Sequence, residues 1–238
     1  KDVTIALADS SGSTIPDAEC PRILNSVFCS NFVLCPYPLF PILDSCNYPA
    51  MAFIMIEPLG VEHVMKNMKM SSSPGPDLIT AKFLKNTSVY SSLILSKIFH
   101  QSLDTHQLPA DWKIGKVVPL HKSGNKSSLH NYRPISLTSI PCKVLEHILF
   151  SHLVKHLDDN SFLTPAQHGF RRSLFCETQL LSFTHDLHLI LDKGSGTDCV
   201  FFDFAKAFDK VCHKLLIFKL RKLNLDPNLF AWPEHFLL

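Results

Sequence analysis

Apolar residues recur at helical spacing along most of this chain, and in a few places they give way to short β-like runs. In VEHVMKNM, Val61, Val64 and Met68 share one side of a helix that stops at SSSPGPD, where two prolines and a glycine force a loop. A helical pair is predicted next, over roughly 79–86 and 91–103, with Leu95, Ile98 and Phe99 on one face of the second. Two β-like runs, 116–122 and 132–137, then flank a polar turn centred on Gly124 and Asn125. Each holds a proline, Pro119 and Pro134, so neither suits a central strand, and the pair reads as a ribbon with an open side. Pro141 opens a further helix, with Leu145, Ile148, Leu149 and Leu153 at helical spacing. Past LTPAQHGFRRS an amphipathic helix is predicted near 178–191. The turn KGSG leads into CVFFDF (199–204), apolar but for its acid and therefore predicted as a short strand buried on both faces. A basic helix should follow over about 209–223, with Val211, Leu215 and Phe218 inward.

Before residue 60 the periodicity fades. One short helix is predicted near 20–31, where Pro21 suits a first helical position. The stretch FVLCPYPLFPIL (32–43) is broken by three prolines and cannot be a continuous helix. Residues 1–59 read as a linker or extension upstream of the domain.

Composition changes this picture in two ways. With 238 residues, 46% apolar and 18% charged, the chain has the makings of a folded core. Its net charge of +2 is unevenly spread: 2 Lys+Arg against 6 Asp+Glu in 1–59, 11 against 5 in 61–150, and 10 against 10 in 151–238. A basic middle segment is the footprint expected of phosphate binding, although most lysine runs are merely solvated faces. No run reaches the roughly 18 apolar residues of a membrane span. The eight cysteines, at 20, 29, 35, 46, 142, 176, 199 and 212, include no CxxC pair and are read as reduced thiols of an intracellular protein. Gaps of 8, 5 and 10 residues between the first four match no common zinc pattern. The thirteen histidines are scattered, with no HExxH.

The chemistry gathers around FFDFAKAFDKV. An acid closing a buried strand costs several kcal/mol unless a cation or donors compensate, so Asp203 suits a hard cation such as Mg²⁺; an ion pair or a helix cap is the bland alternative. Asp209 reads first as an N-terminal helix cap. Lys122 and Arg133 lie on opposite sides of the ribbon's turn, one a compact point charge and the other a fork able to grip two phosphate oxygens. Surface solvation would explain either alone. Together they suggest a polyphosphate held between ribbon and strand.

Five blocks, SSSPGPDLI, LPADWKIGKVVPLHKSGN, NYRPISLTSIPCKVLEHIL, LTPAQHGFRRS and FFDFAKAFDKV, occur in the order and spacing that resemble the reverse transcriptases of non-LTR (LINE-like) retrotransposons. The resemblance spans roughly 53–238. It implies an α+β fold, a partial right-hand polymerase: a fingers-like region over 60–195 and, over 196–238, the start of a ferredoxin-like palm. By that resemblance Asp203 is the first metal-binding aspartate, Phe204 lends a backbone carbonyl to metal, and Lys122 and Arg133 clasp the incoming triphosphate. Phe208 would stack on the sugar and exclude a 2′-hydroxyl. Gln167, Gly169, Phe170 and Arg171 resemble an element beside the active site, where Arg171 would touch a template or primer phosphate; a structural turn held by Gly169 explains them equally well. Asp77 would lie near the template path, where serines such as Ser73 replace a common lysine. The implied cofactor is Mg²⁺, two ions in the intact enzyme, and the implied partners are an RNA template, a DNA primer and dNTPs. No membrane is expected. The resemblance also allows an endonuclease domain upstream in a polyprotein, and it implies cytoplasmic and nuclear localisation.

These family members carry two further adjacent aspartates, in an aromatic-Ala-Asp-Asp hairpin beyond a Pro-Gln-Gly block. Here the only adjacent pair is Asp158-Asp159, before Asp203. The second half of the palm and the thumb are thus expected to be missing from these residues, leaving 199–204 without strand neighbours. RNA-directed DNA synthesis by a two-Mg²⁺ mechanism is the expected function of the family, with no activity for the 238 residues alone. The alternative is a non-catalytic nucleic-acid-binding remnant of a decayed transposable element.

Overall fold

Proline or a hydroxyl side chain marks the start of several helices in this chain. In the computed structural model, which describes residues 6–8, 12–33 and 48–237, Pro21 lies in the first turn of α1 (Cys20–Cys29) and Pro58 opens α2 (Pro58–Asn67). Thr80 caps α3 (Ala81–Asn86) by accepting from the Phe83 N–H, and α4 (Ser88–Thr105) ends on His106 in the left-handed region. Ser139 Oγ accepts from the Cys142 N–H at 3.3 Å at the start of α5 (Ile140–Asp159). The remaining helices are α6 (Cys176–Asp192), α7 (His213–Leu220) and α8 (Pro227–Leu237). The one sheet among the described residues is the antiparallel pair β1 (Lys116–His121) and β2 (Tyr132–Leu137), with Pro119 opposite Pro134. Most of the proline-broken stretch 32–43 lies outside the described residues.

The chain divides into two compact units, Lys1–Leu153 with Lys206–Leu238, and Val154–Ala205. The first holds the main core. Val61 and Met65 of α2, Phe99 and Leu103 of α4, and Val144, Leu145 and Leu149 of α5 are buried together with Trp112, Leu229 and Trp232. The Phe99 and Trp112 rings meet edge to face at 5.9 Å. Ile54 and Ile56, in the stretch read as a connector, are part of this core. The inner face of α4 is lined by small residues, the buried Ser88, Ser92 and Ser96, while Tyr90, Leu93 and Ile94 face outward. A second, smaller cluster joins Leu7, Ile15, Leu24 and Phe28 to Leu129.

The second unit has no buried residue; in α6 only one stripe that includes Phe183, Leu187 and Ile190 is half-covered. Three expectations need correction. CVFFDF forms no ladder and is exposed, with Phe202 at 89%. Apolar content alone does not make a buried strand: a strand is held by hydrogen bonds to neighbours, and none pairs with this stretch among the described residues. The basic helix starts at His213 rather than 209, after a run of turns at 205–210, and its buried residue is Ile217, not Val211. Cys212 is disulfide-bonded, whereas Cys20, Cys29, Cys142, Cys176 and Cys199 are free. Spacing along a sequence does not show which distant sulfurs a fold brings within bonding reach.

Candidate functional site

The ribbon brings two of the expected residues together. Leu120 lies opposite Arg133 and His121 opposite Tyr132; beyond the ladder the Lys122 N–H still donates to the Asn131 carbonyl at 2.8 Å. Cross-strand partners share a face and side chains alternate along a strand, so Lys122, two residues past Leu120, lies on the face of Arg133 as its diagonal neighbour. Both are exposed, and neither makes an ion pair among the described residues.

The turn between the strands is built to keep its shape. Gly124 sits at φ +81, and a Cβ there would stand 2.9 Å from the Asn131 carboxamide. That carboxamide donates to the Asn125 carbonyl at 2.9 Å, the Ser127 N–H donates to Asn125 Oδ1 at 3.0 Å, and the Tyr132 hydroxyl donates to the Lys126 carbonyl at 2.6 Å. Asn131 and Tyr132 were not singled out in the sequence, although they adjoin Arg133 in NYRP.

Asp77 and Phe208 also belong to the first unit. Asp77 Oδ1 accepts from the Ile79 N–H at 3.2 Å, a local turn bond. Its loop presses on the start of α5: a Cβ on Gly75 would lie 2.6 Å from Ser139 N. Phe208 is exposed within the turns at 205–210. Asp209 caps nothing at the start of α7, whose cap residue is Cys212, because the helix begins later than the sequence pattern suggests.

Asp203, Phe204, Gln167 and Arg171 belong to the second unit. Asp203 is exposed in a stretch without regular structure and has no hydrogen bond or ion pair among the described residues. The desolvation that first singled it out is therefore absent. Arg171 is engaged by the end of α5 and by its own loop: it pairs with Asp158 at 3.1 Å and donates to the Thr164 carbonyl at 3.1 Å. Gln167 donates to the Gly169 carbonyl at 3.2 Å. Left-handed backbone in this loop falls on Phe170 and Ser173, each at φ +60, rather than on Gly169. His168 reaches Thr178 Oγ1 at 2.8 Å, tying the loop to α6.

A carboxylate and a backbone carbonyl are the hard oxygen donors that Mg²⁺ takes. Asp203 and Phe204 supply one of each, and no group of three or more His, Cys, Asp or Glu able to hold a metal occurs among the described residues. A two-ion centre needs more carboxylates, so these residues do not complete one. Asp159 is no candidate for the shortfall, being paired with Lys155 at 2.6 Å.

Comparison with known proteins adds an independent line. Residues 120–237 match the family model described as reverse transcriptase (RNA-dependent DNA polymerase). The probable RNA-directed DNA polymerase from transposon BS of Drosophila melanogaster is 31% identical over 189 residues, covering 78% of this chain and 21% of that protein. The RNA-directed DNA polymerase from mobile element jockey, also of Drosophila melanogaster, is 25% identical over 178 residues, 74% of this chain and 19% of that protein. A Pol polyprotein from the type-1 retrotransposable element R2 of Popillia japonica is 25% identical over 162 residues, 65% of this chain and 20% of that protein. The chain thus spans about a fifth of the length of these curated relatives.

Proposed function

Because residues 120–237 belong to the reverse transcriptase family, with relatives among non-LTR retrotransposon polymerases, we propose that this chain is the N-terminal part of an RNA-directed DNA polymerase domain that adds deoxynucleotides to a primer 3′-hydroxyl. Residues 1–59 are then an upstream connector, 60–195 the fingers-like region and 196–238 the opening of the palm. The observation that carries this reading is the ribbon: two exposed cations on one face of a stiffened hairpin, inside the matched segment. Lys122 and Arg133 hold the triphosphate, the lysine as a point charge and the arginine as a fork. Phe208 limits the space beside the sugar. Asp203 and the Phe204 carbonyl are the donors offered to the divalent metal that this family normally uses. Gln167 and Arg171 shape the loop at 163–171, with Arg172 beside it as an exposed cation. RNA template, DNA primer and dNTPs are the proposed partners.

The incomplete metal donor set favours a second reading for the 238 residues taken by themselves: nucleic-acid binding without catalysis. Grafting separates the two. Residues 53–238 replace the matching segment of a jockey-type polymerase, and primer extension is followed on an RNA template with Mg²⁺ and dNTPs. Extension that is lost in Asp203→Ala supports the polymerase reading; a chimera that folds and binds RNA but does not extend supports the remnant. The 238 residues alone are expected not to extend, and incorporation by them that vanishes in Asp203→Ala overturns that expectation.

A further inference from the structure

We propose that residues 6–8 and 12–33 act as a brace for the nucleotide site, fixing the tip of the ribbon at one end and the loop that carries Phe208 at the other. This rests on the roles given above to Lys122, Arg133 and Phe208. All the contacts involved lie within the first unit.

The brace begins in backbone pairing. Ala8 bridges to Thr14 and, in parallel, to Ser128; its N–H donates to the Ser127 carbonyl at 2.9 Å. Ser127 and Ser128 belong to the turn that joins β1 to β2. Next comes the small core: Leu7, Ile15, Leu24 and Phe28 close around Leu129, and Tyr132 packs against them. Tyr132 precedes Arg133, and its ring meets that of its cross-strand partner His121 at 5.4 Å, just before Lys122. The cluster thus reaches Arg133 through its neighbour Tyr132, and Lys122 through His121, which packs on the Tyr132 ring.

The packed contacts lie at the tip. Further along β1, a cleft of about 660 Å³ separates α1 from the strand, lined by Pro21, Leu24, Phe28, Val117 and Pro119. A two-stranded ribbon is only marginally stable by itself. With β1 exposed up to His121 and β2 no more than half-covered, its orientation depends on where its tip is held. Past α1, Asn31 Oδ1 accepts a hydrogen bond from Lys206 Nζ, in the turns that lead to Phe208. One short segment thus touches both the cationic hairpin and the aromatic loop.

The test uses the 238-residue chain, with dTTP, UTP and tripolyphosphate, each with Mg²⁺, as probes and hydrogen exchange in parallel. In Phe28→Ala the ribbon amides at 116–137 are expected to exchange about tenfold faster while α2 and α4 keep their protection. Tripolyphosphate and dTTP should both weaken by about tenfold, or about 1.4 kcal/mol. In Asn31→Ala the cations stay braced, so tripolyphosphate affinity is unchanged while the preference for dTTP over UTP drops by about threefold; Asn31→Gln restores part of it. Unchanged ribbon exchange in both Phe28→Ala and Leu24→Ala overturns the brace, as does faster exchange that extends equally to α2 and α4. A parent chain that binds none of the three probes overturns the nucleotide reading instead, and the exchange data then decide the brace by themselves.

Discussion

Gly75 is the residue where a single methyl group decides whether a loop meets its helix. A Cβ there would fall 2.6 Å from both Ser139 N and Thr138 C, and these are backbone atoms that cannot swing aside. Gly75→Ala is expected to destabilise the chain by about 1–3 kcal/mol in chemical denaturation, the usual range for overpacking. Three residues on, Leu78 occupies the left-handed region at φ +59 with its side chain exposed. Leu78→Gly removes a steric cost of about 1 kcal/mol at no loss of packing, and a higher melting temperature is the expected result. Cys142 is a third case. Burial, then the nearby Glu146 carboxylate, pushes its thiol well above the ordinary thiol range. The folded state therefore keeps a proton that the unfolded chain loses near its ordinary pKa. That contribution is whole below the unfolded pKa and shrinks as pH rises past it. Cys142 should resist alkylation at mildly alkaline pH while exposed Cys176 and Cys199 react, as peptide mapping would show. At this scale sequence reading was uneven. Asp203 was found by supposing a buried strand, and the structure exposes it; its candidacy now rests on its place in FFDFAKAFDKV. The local roles of Asp77 and Arg171, one bonded within its own turn and the other to Asp158, depend on folded neighbours and leave no mark in the residues themselves.

Elements whose signals are local were legible. The ribbon was, because prolines, a Gly-Asn turn and β-like runs act within 22 residues (116–137), and its pairing agrees with that reading. The helices α2 to α6 followed from spacing and breakers, with ends shifted by a few residues. The strand at 199–204 was not, since a strand is a property of its neighbours. α8 was missed although Asp226 and Pro227 form a good start, with the Leu229 N–H donating to Asp226 Oδ1 at 2.9 Å; the helix also carries Pro233 within it. This helix matters to the core. Trp232 donates through Nε1 to Ser102 Oγ at 3.2 Å and stacks on Phe236 at 5.4 Å. Trp232→Ala should cost about 3–5 kcal/mol by the usual cavity penalty, read from urea unfolding.

For the whole molecule, the contrast between the units governs behaviour. The first has a packed core with a ribbon attached; the second has no buried side chain to hold its helix and loops. Amides at 160–205 are expected to exchange fastest among the described residues outside the frayed ends, and limited proteolysis should cut there first. Charge gives the other global property. With 11 basic against 5 acidic residues in 61–150, binding to single-stranded RNA should weaken steeply as salt rises, and Lys122→Ala should reduce the log–log slope by about 0.7 if that lysine meets a phosphate. Filter binding across a salt series measures it; an unchanged slope removes Lys122 from the contact.

The open Phe201-Phe202-Asp203-Phe204 run has one more consequence, for how these molecules treat each other. The six residues 199–204 that contain it are rich in aromatics, without proline or glycine and with a bare backbone, which is what cross-β stacking selects. The single charge in that window is Asp203, so the acid proposed for catalysis is also the repulsive group keeping neighbouring copies apart. Replacing it with alanine should hasten fibril or precipitate formation as concentration rises, whereas Phe202→Lys should slow it while leaving Asp203 in place.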